Sequence, residues 1–321
     1  MGERELWHIR RVSPDEYRSI VPDRGIFFNE PAFTELNRGK VDEVFYLILM
    51  REDSARFGMI AGRMGTELRM PFSAPYAYPV SVLDDSKQEA IDAALEVFET
   101  YCGDCGIKSV RFILPPLFYD EDLLSGWISA FYRGGYRVEN LDLNFALDLH
   151  RLNVDEETYG RMITQKGRKA LRKARKAGLE VVRCETEEDY REAYHIVEIG
   201  HAAKGFPVHL SFEQLMDTLK LVEHDAFIVR KDGVGIVGEF LYRINRRIVQ
   251  GIYTGTHPDY MDCNGMNILT YHTIRYYGDL GYEILDKATA GKDSIPNYGL
   301  CNFKESVGCK RSLKYTFSKQ L

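Results

Sequence analysis

Long hydrophobic runs are missing from this sequence of 321 residues. No stretch approaches the roughly 20 apolar residues that cross a bilayer as a helix, so we expect no transmembrane segment. The opening stretch, MGERELWHIRRVSPDEY, has no apolar core and no small-residue cleavage site, so we expect no signal peptide. Hydrophobic residues make up 45% and charged residues 28% of the chain, which excludes global disorder.

Cysteine is also scarce, with six residues that follow no framework spacing. This usage indicates reduced thiols and a cytoplasmic protein. Cys102 and Cys105 have the spacing of a redox motif, but they fall at the end of a predicted helix rather than after a strand. His195, His201 and His209 show no consistent ligand geometry, so we predict no metal site.

Two common catalytic motifs are missing from the places where their chemistry would need them. No G-x-G-x-x-G follows a first strand, which argues against a doubly wound dinucleotide-binding fold. No G-x-S-x-G elbow is present, which argues against a serine nucleophile of the hydrolase type. Acyl transfer to an amine remains open, because it needs a neutral nucleophile, a polarised carbonyl and an anchored donor rather than a covalent intermediate.

Positive charge is concentrated in one short segment. The formal net charge is -6, yet residues 166 to 176 hold seven cations and no acid, which leaves the rest of the chain at -6 - 7 = -13. We predict a helix here that Thr164 caps and Gly178 ends. Its narrow apolar stripe consists of Ala170, Leu171, Ala174 and Ala177.

Three explanations of this basic helix stay open. In the first explanation, the helix is a solvated face neutralised by acids elsewhere, such as ETEED at 185–189. Against that, cations four residues apart, such as Arg168 and Arg172, repel one another. In the second explanation, the helix binds a confined anion, either a tRNA backbone or the diphosphate of a cell-wall precursor. Or it is attracted to an anionic membrane surface that presents a lipid-linked substrate.

The order of predicted elements indicates a mixed α/β fold. In the second half, helices precede a meander of three strands, and a helix, a strand, a helix and a last strand follow. A mainly antiparallel sheet interrupted by one central helix matches the GNAT acyltransferase fold. The first half shows a shorter version of this order, so we predict tandem GNAT-like domains at 1–150 and 151–321.

Three segments carry a resemblance to a known family. They are PFSAPYAYP at 71–79, GRKALRKARKAGLEV at 167–181 and GLCNFKESVG at 299–308. In their order and spacing they resemble the FemABX family, peptidoglycan-bridge aminoacyltransferases built from two GNAT-like domains. The resemblance implies transfer of an aminoacyl or acyl group onto an amine of a cell-wall or cell-surface polysaccharide precursor. It also places the acceptor cleft in the first domain, and the donor site and the chemistry in the second.

The resemblance makes Lys304 the first catalytic candidate. It follows Phe303 in the third segment, and the family likeness implies a lysine that stabilises donor phosphates or the developing oxyanion. The alternative is a solvated lysine near a helix start. Tyr253 is a further candidate as an acid or hydrogen-bond donor, although such a tyrosine often packs in a core with its hydroxyl in water.

Two carboxylates are candidate bases. Glu239 lies in the otherwise apolar strand GIVGEFLYRI, where an unpaired charge is costly. In many GNAT enzymes a carboxylate on this strand receives the proton of the amine, directly or through water. The alternative is a buried salt bridge with Arg243 or Arg247. Asp286, at the end of the strand YEILD, is a comparable case.

The segment YMDCNGMNI at 260–268 occupies the place where acetyl-CoA-using GNAT enzymes hold a pyrophosphate. It lacks a second glycine and a leading Arg or Gln, which weakens coenzyme A and leaves room for aminoacyl-tRNA as the donor. We expect no bound cofactor. The predicted donor-binding residues are Phe303, Asn264, Gly265, Met266, Asn267, Arg168, Arg172 and Arg175.

The acceptor site is predicted around the PFSAPYAYP loop, because proline-rich loops with exposed aromatics often line clefts. The residues assigned to it are Ser73, Tyr76, Tyr78 and Lys204. Two other functions remain as alternatives. One is an acyl-CoA-dependent N-acyltransferase that acts on a nucleotide-sugar or exopolysaccharide amine. The other is a non-catalytic binding protein with a degenerate GNAT fold.

Overall fold

The computed structural model describes residues 6–23, 26–83, 87–206, 208 and 210–321. Ser86, expected from the sequence to cap a helix, and His209 lie outside these residues. The chain divides into two compact units, the first comprising Met1–Asp142 with Leu313–Leu321 and the second Leu143–Ser312.

The first unit is built on a mainly antiparallel sheet. Its strands are β1 (Trp7–Arg11), β2 (Glu43–Arg51), β3 (Ser54–Met64), β4 (Glu67–Met70), β5 (Val80–Ser81) and β6 (Ser109–Ile113). Its helices are α1 (Pro14–Ile20), α2 (Pro31–Leu36), α3 (Gln88–Asp104) and α4 (Glu121–Arg133). The strands pair in the order β1-β2-β3-β4-β6, with β5 added to β3, and only β4 and β6 run parallel. Strand β7 (Arg137–Asp148) leads into the second unit.

The second unit contains the strand meander that the sequence predicts. Its strands are β8 (Glu180–Arg183), β9 (His224–Lys231), β10 (Val234–Arg243), β11 (Ile248–Thr256), β12 (Ile284–Thr289), β13 (Gly291–Lys292) and β14 (Ile295–Pro296). Its helices are α5 (Leu149–Leu152), α6 (Glu156–Met162), α7 (Gln165–Lys176), α8 (Glu187–Ala202), α9 (Phe212–Leu219), α10 (Gly265–Asp279) and α11 (Tyr298–Ser306). The order β8-β9-β10-β11-β12-β7 is antiparallel except between β11 and β12, which confirms the predicted fold class.

The last strand, β15 (Lys310–Gln320), differs from the predicted division at 151–321. Residues 313–321 belong to the first unit, because Thr316–Gln320 pair antiparallel with β6 of that unit. The division also falls at residue 143 rather than 151. The sequence shows that the final segment is a strand, but its pairing partner lies about 200 residues away and leaves no local signal.

A buried carboxylate ties several elements of the second unit together. Asp225 on β9 is 1% exposed and accepts hydrogen bonds from Arg183 at 2.8 Å and from Arg243 at 2.9 Å. The hydroxyls of Tyr276 and Tyr277 on α10 also donate to it, at 3.2 and 3.0 Å. A fully buried charge is tolerated only with such partners, so Asp225 fixes α10 against the sheet.

Candidate active site

The sheet of the second unit breaks at one place. Strands β11 and β12 are paired only over Ile248–Gln250 and Ile284–Asp286, although both strands continue beyond those residues. On the other side of β11 a bulge interrupts the pairing with β10, and Ile252 is the extra residue. Backbone groups released from a ladder need other partners, and bulges re-aim neighbouring side chains. The candidate site lies at this break.

Glu239 projects from β10 at the break. It is 0% exposed, and its Oε1 accepts hydrogen bonds from the Lys287 ammonium and, at 3.1 Å, from the Thr254 hydroxyl. Its Oε2 is buried and has no partner among the residues that the structure describes. The expected alternative, a buried salt bridge, is present, but its cation is Lys287. The named partners Arg243 and Arg247 are wrong, because they bind Asp225 and Glu283.

Lys287 is a site residue that sequence reasoning missed. A bulge interrupts the pairing of β12 with β7 between Asp286 and Thr289, and within it Ala288 has a left-handed φ of +58°. The bulge directs the Lys287 ammonium to Glu239. The one available signal was a second charge, directly after Asp286, in a strand that otherwise reads as buried.

Lys304 on α11 holds the bulge in place. It is 6% exposed, and its Nζ donates to the carbonyl oxygens of Lys287, Ala288 and Thr289 at 2.6, 3.0 and 2.9 Å. Burial lowers the pKa of Lys304 to about 8. The ammonium therefore shapes the floor of the site through the main chain. The neighbouring Phe303 is half-buried against the core of the unit.

The other two catalytic candidates differ in surroundings. Asp286 is 0% exposed and accepts from the side chains of Asn144 at 2.7 Å and Gln250 at 3.2 Å. It also accepts from the amide of Ala288 at 2.8 Å, so both of its oxygens are occupied in holding neighbouring backbone and side chains. Tyr253 is half-buried on β11, and burial raises its pKa, which keeps its hydroxyl protonated.

The segment predicted to hold the donor, residues 260–268, leads into the start of α10. A 3-10 helix, Pro258–Cys263, leads to Asn264, whose φ of +60° is left-handed, and its side chain bonds the carbonyl of Asp262 at 2.8 Å rather than capping α10. A Cβ at Gly265 would lie 2.6 Å from a methyl group of Val237, so glycine here lets the helix approach β10. Met266 is half-buried and Asn267 is 6% exposed.

Helix α7 confirms the predicted cap, since the Thr164 hydroxyl accepts from the Gly167 amide at 3.1 Å. Its buried residues are Gly167, Leu171 and Ala174. Five cations fall within an arc of about 120° on the opposite face. We call these the basic stripe; its members are Lys166, Lys169, Arg172, Lys173 and Lys176, all exposed.

Internal acids neutralise α7 only in part. Arg175 pairs with Glu156 at 2.6 Å, and Lys173 lies 3.8 Å from Asp262. Arg168 bonds the carbonyl of Gly160 at 3.2 Å. Within the described part of the chain, the other four stripe members have no carboxylate partner. Two of the acids at 185–189 pair elsewhere, Glu187 with Arg191 and Asp189 with Arg230.

The predicted acceptor residues belong to different units, three to the first and Lys204 to the second. Tyr76 and Tyr78 are 1% and 2% exposed, so the prediction of exposed aromatics is wrong. The loop folds inward because the Asn29 side chain donates to the Tyr78 carbonyl at 3.1 Å, and the Tyr76 ring packs 4.8 Å from that of Tyr119. The Ser73 hydroxyl accepts from Lys40 and donates to Asn37, each at 2.9 Å. Lys204 is exposed after α8 in the second unit.

Metal-ligand clusters, membrane-spanning helices and the cysteines were considered among the residues that the structure describes. No group of three or more His, Cys, Asp or Glu side chains in that part of the chain is arranged to hold a metal ion. No helix among those residues is long and apolar enough to cross a bilayer. The cysteines carry free thiols.

Comparisons with known proteins agree with this fold. Residues 163–294 match the family described as Acetyltransferase (GNAT) domain. The crystal structure of FemX superposes with a TM-score of 0.68 at 12% identity, covering 98% of this chain and 97% of that chain. A tandem GNAT protein from the clavulanic acid biosynthesis pathway gives a TM-score of 0.59 at 9% identity, covering 98% of each chain.

The C-terminal domain of a putative lysylphosphatidylglycerol synthetase from Agrobacterium fabrum is also similar. It gives a TM-score of 0.61 at 14% identity and covers 95% of this chain and 92% of that chain. No curated protein sequence matches significantly. Residues 163–294, which contain the break between β11 and β12, thus match a GNAT acetyltransferase domain, in a chain with the fold of FemX and of a tandem GNAT protein.

Proposed function

We propose that this protein is a FemAB-type transferase that moves an aminoacyl or acyl group onto an amine of a cell-wall or cell-surface polysaccharide precursor. The observation that carries the proposal is the free, buried Oε2 of Glu239 at the break between β11 and β12. An acceptor atom without a partner at that depth calls for a ligand that donates a hydrogen bond, and a substrate amine is such a ligand. The likeness in fold to FemX supports the cell-wall acceptor.

The chemistry joins the nitrogen of the amine to the carbonyl carbon of the donor and expels the donor's oxygen or sulfur. Glu239 contacts the amine in this scheme. Lys304 sets the bulge that carries Lys287 beside Glu239. Asp286 supports the same strand, and in this scheme the half-buried Tyr253 on β11 donates a hydrogen bond.

Aminoacyl-tRNA is the donor that we favour. The basic stripe of α7 presents four cations without carboxylate partners in the described chain, as a polyanionic donor requires. The start of α10 offers little to a pyrophosphate, since Asn264 turns its side chain to Asp262. Such donors are cytoplasmic, and the reaction is proposed to occur there, at the membrane face when the acceptor is lipid-linked.

A second candidate is an acyl-CoA-dependent N-acyltransferase. The match of residues 163–294 to an acetyltransferase family favours it, because GNAT domains use acyl-CoA as co-substrate. In that case the acceptor is the amine of a nucleotide sugar or an exopolysaccharide, and the basic stripe has another role.

Donor binding tests these proposals. The purified protein is titrated separately with coenzyme A, bulk tRNA and anionic phospholipid vesicles, at low and moderate salt. The test variant is K166Q/K169Q/R172Q/K176Q, and the matched control is R175Q, which removes a cation paired with Glu156. We expect saturable tRNA binding that weakens steeply with salt, is lost in the fourfold variant and persists in the control.

The other results have definite meanings. Binding of coenzyme A without tRNA supports the N-acyltransferase. Binding of vesicles alone through the stripe contradicts the tRNA assignment and assigns α7 to a membrane surface. If the protein binds neither coenzyme A nor tRNA, the transferase is contradicted and a binding protein with a degenerate site is favoured.

A further inference from the structure

Four buried charges surround the break between β11 and β12. Glu239 and Asp286 are each 0% exposed, while Lys287 and Lys304 are 8% and 6% exposed. They comprise two carboxylates and two ammonium groups, so their formal charges sum to zero. A buried cluster of this kind is tolerated because it is balanced, and any net charge placed in it carries a large desolvation cost.

Hydrogen-bond partners divide this cluster into two parts. Lys304 donates to three main-chain carbonyls, and Asp286 accepts from Asn144, Gln250 and the amide of Ala288. The remaining pair is Lys287 and Glu239, joined through Oε1. The Oε2 of Glu239 is the member atom left without a partner among the described residues.

The surroundings of the Glu239 carboxylate favour a ligand at the break. Gly251 is the first β11 residue beyond the paired section, and a Cβ built on it would approach Glu239 Oε1 to 3.3 Å. No side chain from this position therefore screens the carboxylate. The pairing of β11 with β12 ends at the preceding residue, Gln250, so the ladder between these strands does not continue beside the carboxylate.

Charge balance then decides what kind of contact the oxygen makes. A proton transferred to Glu239 would leave this cluster of buried side chains with a net charge of +1, which is costly. A neutral amine that donates one N–H to Oε2 leaves the net charge at zero. The same hydrogen bond turns the amine's lone pair away from the carboxylate and leaves it free to attack a carbonyl carbon.

On the basis of the proposed function, we infer that Glu239 and Lys287 together form a neutral hydrogen-bond acceptor that positions the attacking amine without taking its proton. Lys287 is a positioning residue, since it acts on the amine through Glu239. The nitrogen bonds to the acyl carbon, the bond from that carbon to the donor's oxygen or sulfur breaks, and the amine's proton leaves with the departing hydroxyl or thiol.

Three variants separate this role from that of a general base. E239Q keeps an accepting oxygen but leaves Lys287 as an unpaired cation. K287M leaves the carboxylate unpaired. The double variant E239Q/K287M restores the charge balance and retains an oxygen that accepts a hydrogen bond.

The assay measures transfer of labelled amino acid from a fully charged tRNA pool, and of labelled acetyl from acetyl-CoA, to a UDP-N-acetylmuramoyl pentapeptide. We expect kcat/KM to fall about a hundredfold or more in each single variant, the scale of losing a positioned polar group at an active site. In the double variant we expect recovery to within about tenfold of the parent protein, because the two changes compensate.

A double variant as slow as E239Q would overturn the inference, since a general base cannot be replaced by glutamine, while the proposed function would stand. If the parent protein transfers neither group, the proposed function falls, and this inference falls with it. Thermal unfolding tests whether each variant is folded. If E239Q/K287M does not fold, E239Q/K287Q takes its place. The exposed pair Glu187 and Arg191, changed to E187Q/R191Q, serves as a control with unchanged rates.

Discussion

The Nζ of Lys304 lies 2.6 Å from the carbonyl oxygen of Lys287, the residue whose own ammonium holds Glu239. One lysine thus positions the main chain that carries another. The family resemblance implies that Lys304 contacts the donor, whereas its hydrogen bonds in this structure all go to the bulge of β12. The two roles make different predictions for substitutions at position 304.

K304M is expected to lower both stability and activity. Methionine leaves three carbonyl oxygens without their donor, and we expect the free energy of unfolding to fall by about 2 kcal/mol or more. K304R retains a cation with several donors and should keep most of the stability. Urea unfolding measures both variants. A K304M protein as stable as the parent would contradict the structural role and return Lys304 to the donor site.

Stability should depend on pH through the same residue. Burial lowers the pKa of Lys304 to about 8, against an ordinary value of 10.5, so between these values the unfolded chain binds more protons than the folded one. The free energy of unfolding of the parent should therefore rise relative to K304M from pH 8 to pH 10.5, by up to about 1.4 kcal/mol per pH unit. Parallel urea titrations at pH 7.5, 9 and 10 give the difference. A constant difference would contradict the lowered pKa.

Asp225 is expected to be a major determinant of stability. D225N removes the charge that two arginines and two tyrosine hydroxyls share, and breaking a buried pair on one side costs roughly 3–5 kcal/mol. The matched control is E187Q, whose pair with Arg191 is exposed and should cost less than about 1 kcal/mol. Equal losses in the two variants, measured by urea unfolding, would refute the importance of the buried site.

Gly167 tests the seating of the basic helix. A Cβ at this position would lie 2.0 Å from the carbonyl oxygen of Ser306, so G167A must push α7 from α11 and should cost about 1–3 kcal/mol. Gly103 in α3 meets nothing within 4 Å, and G103A should instead gain about 0.5–1 kcal/mol from helix propensity. Thermal unfolding of both variants measures these changes. A G167A protein as stable as the parent would show that the contact between α7 and α11 is not tight.

Features set by neighbouring residues were predictable from the sequence. Thr164 caps α7, and Thr186 and Asp189 form a capping box at the start of α8, and each cap depends on residues within three positions. The strand meander was predictable for a similar reason, since its hairpin connections join strands that are consecutive in the chain. Local patterns of this kind identified the GNAT order of elements.

The candidate site was less accessible, since its contacts are distant in sequence. Glu239 was predicted to be buried and costly, but its partner Lys287 lies 48 positions away and depends on a bulge that no local pattern reveals. Tyr76 and Tyr78 were expected to be exposed because the loop is rich in proline. Packing against residues far along the chain, such as Tyr119, reverses that expectation.

Strand β15 has a consequence for the order in which the chain folds. Its residues 316–320 complete the sheet of the first unit beside β6, although the second unit is synthesised between them. During translation, the first unit must wait with β6 lacking this partner until residue 320 has left the ribosome. The second unit has no such dependence on that final stretch. In synthesis the second unit is therefore expected to mature before the first.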